Sequence, residues 1–261
     1  MKFLQDILEL DYAYLESFTS RTDKCWGILF CNEYQPHYYS ANHAHISQIA
    51  AQPQNIINEV MNYFQSKGII PRFYIYQLDI QEEFISILKE NNFGFEELIE
   101  PIQQWNKKIY QREAPDQITI ELVTDKNYSE ALHIECSIKE LGGKIVRERA
   151  FEHEFNHPKF TYYLLRYNGI ACATACLFVN NKQGRLESVA TLEEYRGKGL
   201  IGFLIQHIQK EAAKLGLENL WVFPINEKIE KVYQKYGFTT IGKIRMGHAY
   251  LGGKSIKEIQ G

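Results

Sequence analysis

The sequence predicts a mixed α/β protein built in two segments. Three observations carry that expectation. Runs with apolar residues at alternate positions are interleaved with runs of helical period in both halves of the chain. Asn168-Gly169, a strong hairpin signal, joins two β-rich runs. A glycine-rich turn, Arg196-Gly197-Lys198-Gly199-Leu200, leads from a strand-like run into a long amphipathic one. The polar, proline-containing stretch Asn106–Gln117 reads as a linker, so the expected domains are residues 1–112 and 113–261.

In the first segment, KCWGILFC (24–31) reads as a buried strand and PQNIINEVMNYFQSK (53–67) as an amphipathic helix ending at Gly68. RFYIYQ (72–77) reads as a strand and QEEFISILKEN (81–91) as a helix, followed by Gly94-Phe95 and a further strand. In the second segment, ITIELV (118–123) alternates as a strand does. Thr124 and Asp125 are placed to cap a helix running to about Ile138. Gly142-Gly143 breaks the chain before a charged helix, KIVRERAFEHEF. FTYYLLRY (160–167) and IACATACLF (170–178) form the two arms of the hairpin, and RLESVAT (185–191) is the next strand. A helix over 200–214, a short buried strand NLWVF (219–223), a helix over 227–235 and strands around FTTIGKI and MGHAYL complete the order.

Composition excludes several classes of function. The chain has 261 residues, 45% hydrophobic and 13% aromatic, which is ample for a packed core. A net charge of −3 disfavours a nucleic-acid partner. No apolar run is long enough to span a bilayer, and the start, MKFLQDILELDYAYLES, does not follow the charged-then-apolar pattern of a signal peptide. Five cysteines, an odd number, suit a reducing cytoplasm better than a disulfide framework. Cys172 and Cys176, four apart on one strand, are expected on one face as small core residues. His37, His43 and His45 lie in a loop-like, aromatic segment with Cys31 as the only nearby fourth ligand; they match no strong zinc pattern, and no metal is expected.

The turn at 196–200 has a physical logic. Glycines let the backbone bend tightly and aim its N–H groups at one point. The following helix adds unsatisfied first-turn N–H groups and the positive end of its dipole. With Arg196 and Lys198 nearby, the arrangement suits a diphosphate; such turns also serve as plain connectors. The spacing fits neither the G-x-x-x-x-G-K-[ST] loop nor the dinucleotide G-x-G-x-x-G fingerprint, and the turn follows several strands instead of the first.

Glu187-Ser188-Val189-Ala190-Thr191, then Glu194-Tyr195-Arg196-Gly197-Lys198-Gly199-Leu200, resembles motif A of the GNAT superfamily of acetyl-CoA-dependent N-acetyltransferases. Asn226, followed by Tyr233-Gln234-Lys235-Tyr236-Gly237-Phe238, is similar to that family's second signature, N-(x)6-Y-x-x-x-G-F. The resemblance covers about the last half of the chain. One position departs: Ile201 stands where the family has Gly or Ala, with Gly202 one step later. Its backbone N–H remains a donor, but the branched side chain implies a shifted or weaker phosphate approach.

The resemblance implies an acyl-CoA-dependent N-acyltransferase that moves acetyl from acetyl-CoA to a primary amine of a small molecule or peptide, by direct attack in a ternary complex. The alternative is a non-catalytic acyl-CoA-binding or regulatory protein that keeps the fold. Strand 186–191 is then expected to splay from 219–223. Val189, Ala190 and Thr191 would line the pantetheine arm, Arg196, Gly197, Lys198, Gly199, Leu200 and Ile201 the phosphates, and Asn226 the arm's other side. Tyr233 is the implied general acid, against a plain core tyrosine. Glu187 is the implied base, expected to share a face with Val189 and Thr191; the alternatives are a surface glutamate or one paired with Arg185 or Arg245. The acceptor pocket is expected from Ser137–Lys144 and Arg245–Tyr250, with Lys139, Glu140, Arg147 and Glu148 as selectivity residues or as a solvated helix face. The helix–strand–helix–Gly-Phe order of the first segment parallels that of the second, with Glu90 opposite Tyr233 and no glycine turn. It implies tandem GNAT-like domains, the N-terminal one degenerate. The expected setting is cytoplasmic, without membrane or nucleic acid, and compatible with a homodimer.

Overall fold

The structure, a computed structural model, describes residues 2–109 and 113–260. The elements are α1 (Lys2–Glu16), β1 (Ser20–Lys24), β2 (Gly27–Cys31), β3 (His43–Ile46), α2 (Pro53–Gln65), β4 (Arg72–Tyr76), α3 (Glu82–Glu90) and β5 (Gly94–Trp105). Then follow β6 (Ile118–Leu122), α4 (Tyr128–Ser137), α5 (Gly143–Asn156), β7 (Phe160–Tyr167), β8 (Ile170–Asn180) and β9 (Gln183–Thr191). The last are α6 (Leu200–Lys214), β10 (Asn219–Val222), α7 (Glu227–Gln234), β11 (Phe238–Tyr250) and α8 (Ile256–Gln260). The fold class is mixed α/β. Among the described residues no helix is long and apolar enough to cross a membrane.

The chain divides into two compact units, residues 1–99 with 244–261, and residues 100–243. The divisions fall at 99/100 and 243/244, where sequence reading placed one boundary at 112/113. The cause is two long strands. β5 has 12 residues and β11 has 13, and each begins in one unit and ends in the other. The two terminal strands expected around FTTIGKI and MGHAYL are the single strand β11. Residues 110–112 of the expected linker lie outside the described residues.

In the first unit the strand order is β1-β2-β3-β4-β11-β5, with β3 and β4 parallel. α2 and α3 supply one layer of its core, where Ile57, Val60, Phe64, Phe73, Ile75 and Leu88 are fully buried. The other sheet face is polar and aromatic. There the Arg72 guanidinium donates to His248 Nε2 (3.0 Å), and His248 Nδ1 meets Glu96 (2.8 Å). His43 and His45, expected in a loop, are buried on β3. His45 Nε2 bonds the Tyr12 hydroxyl (2.9 Å) and His43 Nδ1 the Ser40 carbonyl (3.1 Å). Among the described residues no cluster of His, Cys, Asp or Glu is arranged to hold a metal ion.

In the second unit the order is β11-β5-β10-β9-β8-β7-β6, with β9 and β10 parallel and β6/β7, β7/β8 and β8/β9 antiparallel. One face packs on α6 through Leu165, Leu177, Leu204, Ile205 and Ile208, and Tyr233 of α7 joins the same core. α4 and α5 lie against β7, β8 and β9. α4 starts at Tyr128, later than Thr124 and Asp125 suggest, because Asn127 closes the preceding turn: its Oδ1 accepts from Thr124 N (2.7 Å) and its Nδ2 donates to Leu122 O (3.1 Å).

Candidate functional site

The glycine turn is built as its sequence requires. Gly197 (φ 79°) and Gly199 (φ 71°) are both left-handed, a conformation that costs little only without a Cβ, and α6 begins at the next residue. The first-turn N–H groups of α6 thus converge beside Arg196 and Lys198. Arg196 Nε donates to the Thr191 carbonyl (3.1 Å), tying the turn to the end of β9, and its guanidinium lies 3.8 Å from Glu140. The Lys198 ammonium sits over the Tyr195 ring (4.7 Å) and the Tyr167 ring (5.7 Å).

The displaced glycine has a packing explanation. A Cβ at residue 202 would lie 2.4 Å from the Tyr236 ring, so Gly202 lets that ring rest directly on α6. Ile201, one step earlier, packs partly against the apolar core. The small residue at 202 therefore serves helix packing.

β9 and β10 pair only through Asn219/Gln183, Leu220/Gly184 and Trp221/Arg185. From Leu186 onward no rung joins β9 to β10 among the described residues, and a strand edge parted in this way can pair with an extended ligand. This is the expected splay. Within the parted stretch β9 also bulges. Cys176 faces Glu187 and Thr174 faces Ala190, so one residue of β8 opposes Ser188 and Val189, and Ser188 takes φ 47°.

The bulge corrects the expected placement of Glu187. Paired residues project to the same face, so Glu187 goes with Cys176, Thr174 and Ala190, on the α4 side. Val189 packs with Leu186 against the α6-side core. Glu187 and Val189 are thus on opposite faces. Glu187 is ion-paired with Arg185, whose guanidinium stacks over Phe223 at 4.5 Å. A second bulge, where Ala171 and Ala173 face consecutive residues of β7, separates the two cysteines as well: Cys172 joins the α6-side core, and Cys176 lies among buried acidic groups on the other face.

Tyr233 is 5% exposed, with its ring 5.7 Å from that of Phe238. Its hydroxyl has no hydrogen-bond partner among the described residues. Burial, with a smaller contribution from the Glu187 charge, pushes the phenol well above its ordinary range, so it holds its proton throughout the neutral region. Asn226 has a role that sequence reading missed. Its Oδ1 accepts from Ile229 N (3.0 Å) and caps α7, the helix that presents Tyr233.

The acceptor candidates divide. Lys139 and Glu140 lie on the turn between α4 and α5, and Glu148 is solvent-exposed on α5. Arg147 is 2% exposed and bonded to Glu135 and Glu154, so it is neither a pocket residue nor part of a solvated face. Arg245–Tyr250 belongs to the first unit, where Arg245 pairs with Glu97 (2.8 Å).

The chain's likeness to known proteins agrees with this geometry. Residues 126–238 match the model of the acetyltransferase (GNAT) family. A functionally unknown conserved protein from Staphylococcus epidermidis ATCC 12228 superposes with a TM-score of 0.72 at 13% identity, over 89% of this chain and 93% of its own. A GCN5-related N-acetyltransferase from Kribbella flavida does so with a TM-score of 0.66 at 14% identity, over 96% and 97%. One from Sphaerobacter thermophilus gives 0.59 at 11%, over 89% and 75%. At these identities the likeness is one of fold. No curated protein matches the sequence. Residues 126–238, with their glycine turn, parted strands and capped tyrosine helix, thus form a GNAT acetyltransferase domain.

Proposed function

We propose that the chain is an acyl-CoA-dependent N-acyltransferase, moving acetyl from acetyl-CoA to a primary amine of a small molecule or peptide in a ternary complex. The observation that carries this reading is the alignment of three features in one domain. The left-handed glycine turn opens α6, β9 parts from β10 after the last rung at Trp221/Arg185, and the Tyr233 hydroxyl has no hydrogen-bond partner among the described residues. Backbone N–H groups from Gly197 to Ile201, with Arg196 and Lys198, would hold the diphosphate. Main-chain groups of Val189, Ala190 and Thr191 would hold the pantetheine arm as a neighbouring strand does. Asn226 contributes chiefly by capping the tyrosine helix, with its Nδ2 left to reach the arm.

In the reaction the amine nitrogen bonds the thioester carbon and the C–S bond breaks. The ammonium proton passes to a base, and the departing thiolate takes a proton from Tyr233. Glu187 is the candidate base, acting from the α4 side of β9 directly or through water. We read residues 1–112 as a degenerate copy of the same fold. In support, β3 and β4 are parallel neighbours flanked by α2 and α3, as β9 and β10 are by α6 and α7. Their pairing continues to the end of β3 at Ile46/Ile75, and Gln52 and Pro53 stand where a glycine turn would open the helix. A cytoplasmic enzyme, alone or as a homodimer, fits this reading. The test is thiol release from acetyl-CoA across a panel of primary amines, with CoA affinity measured by calorimetry. Release with at least one amine is expected. Tight CoA binding without release for any amine would replace the reading with a non-catalytic acyl-CoA-binding protein, and no binding at millimolar CoA would remove both.

A further inference from the structure

Behind the bulged half of β9 lies a sealed charge cluster that the chemistry above does not use. Arg147 of α5 donates from Nε to Glu135 of α4 (3.1 Å) and from NH1 and NH2 to Glu154 of α5 (3.3 and 2.8 Å). The Tyr162 hydroxyl of β7 donates to Glu154, and the Thr174 hydroxyl of β8 donates to Glu135 (2.6 Å). The three charged side chains are 0–3% exposed.

Two carboxylates share one guanidinium out of reach of water. Fully ionised, the cluster would carry an uncompensated buried negative charge, which is costly in a low-dielectric interior. Glu154 has three donors and Glu135 has two, so Glu135 is the carboxyl that takes up a proton. The groups facing it are Arg147 and Glu154 from α5, Tyr162 from β7, Thr174 and Cys176 from β8, and Cys136 beside it on α4. Glu187 of β9 adds its field at Cys176. Burial pushes Glu135 up to about 7, against the lowering effects of Arg147 and Thr174.

The cluster is positioned to affect the candidate site. Thr174 faces Ala190 across the β8/β9 ladder and Cys176 faces Glu187, so the two rungs flanking the bulge rest on the strand that Glu135 holds. Glu135 and Arg147 also bracket the α4–α5 turn that carries Lys139 and Glu140. We propose that Glu135 is a positioning residue for amine acceptance: with Arg147 and Thr174 it sets the bulged segment of β9 and the α4–α5 turn, and gaining or losing one proton at Glu135 changes how well the acceptor is held. This rests on the acyltransferase reading.

Two measurements test it. Amine KM is followed from about pH 5.5 to about pH 8.5, with CoA affinity by calorimetry in parallel. Wild type should show one transition, of roughly fivefold or more in amine KM, with CoA affinity changing less than about twofold. Glu135→Gln should flatten it. Thr174→Val, which keeps every charge, should move the midpoint to higher pH because a donor to the ionised form is lost. A wild-type profile in both variants overturns the proposal; should Glu135→Gln not fold, an unmoved midpoint in Thr174→Val does so alone. The second measurement needs no turnover. In protein labelled at the glutamate carboxyls and backbone amides, the Glu135 carboxyl signal should titrate together with the amides of Ser188–Thr191. A carboxyl that titrates while those amides stay still rejects the positioning role. Absence of turnover with every amine would reject the acyltransferase reading and leave this coupling to be judged by the spectra.

Discussion

Tyr233 and Glu187 show how much depends on single residues. If Tyr233 protonates the leaving thiolate, Tyr233→Phe should lower kcat by roughly tenfold or more and leave CoA affinity within about twofold, because the ring keeps its packing against Phe238. Steady-state kinetics with parallel calorimetry checks this, and wild-type turnover rejects it. Tyr233 could be read from spacing, since the Y-x-x-x-G-F pattern fixes it on a helix one turn before a strand. The surroundings of Glu187 could not. A period of two puts residues 187, 189 and 191 on one face, and one left-handed residue at Ser188 reverses the phase. Serine carries no mark of that conformation, as a glycine would have done. The same blindness put Cys172 and Cys176 together. Arg147 was hidden differently: a charged helix reads as solvated unless the spacing of Arg147 and Glu154, two turns apart, is taken as a buried face.

At the scale of elements, α7 shows how a short helix is held in place. With 8 residues it is too short to be stable alone, and it depends on packing and on its cap. Asn226 supplies that cap, and the buried Glu230 carboxylate accepts from Thr240 of β11 (2.6 Å). Asn226→Ala should cost about 1 kcal/mol of stability and raise amide exchange in α7, whereas Asn226→Asp should keep the cap and most of the stability. Thermal melts and exchange of the 227–234 amides check it; an alanine variant indistinguishable from wild type would show that packing alone fixes the helix. Helices of clear period and the Asn168-Gly169 hairpin were legible within a residue or two of their ends. β3 was not, because its four residues, HAHI, carry polar imidazoles at the alternate positions that usually face solvent, and both are buried here against rings of neighbouring strands.

At the scale of the molecule, the division into units escaped the sequence because local pattern reports strands and not the sheets they enter. β5 read as an ordinary strand and β11 as two short ones, yet each is one strand that belongs partly to both units. The most deeply buried titrating groups also differ between the units, and the contributions of those groups to stability depend on pH in opposite directions. In the first, burial lowers His45 and His248 to about 4 and pushes His43 well below its ordinary value. His248 is held neutral by geometry too, since its Nε2 accepts from Arg72. Between about 4 and 6.5 the unfolded chain binds protons that these folded imidazoles refuse, so the first unit loses stability as pH falls through that window. In the second unit the folded Glu135 carboxyl keeps its proton up to about 7, whereas the unfolded one gives it up near 4.5. Its stabilising contribution is therefore complete below 4.5 and is lost as pH rises to about 7. Each proton of difference is worth about 1.4 kcal/mol per pH unit. Hydrogen exchange followed by mass spectrometry at about pH 5.5 and about pH 7.5, corrected for intrinsic rates, should show β3 and β4 better protected at the higher pH and β7 and β8 at the lower. His248→Gln should weaken the first dependence and Glu135→Gln the second; protection moving in the same direction in both sets of strands would contradict the assignment of these buried groups as the source of the pH response.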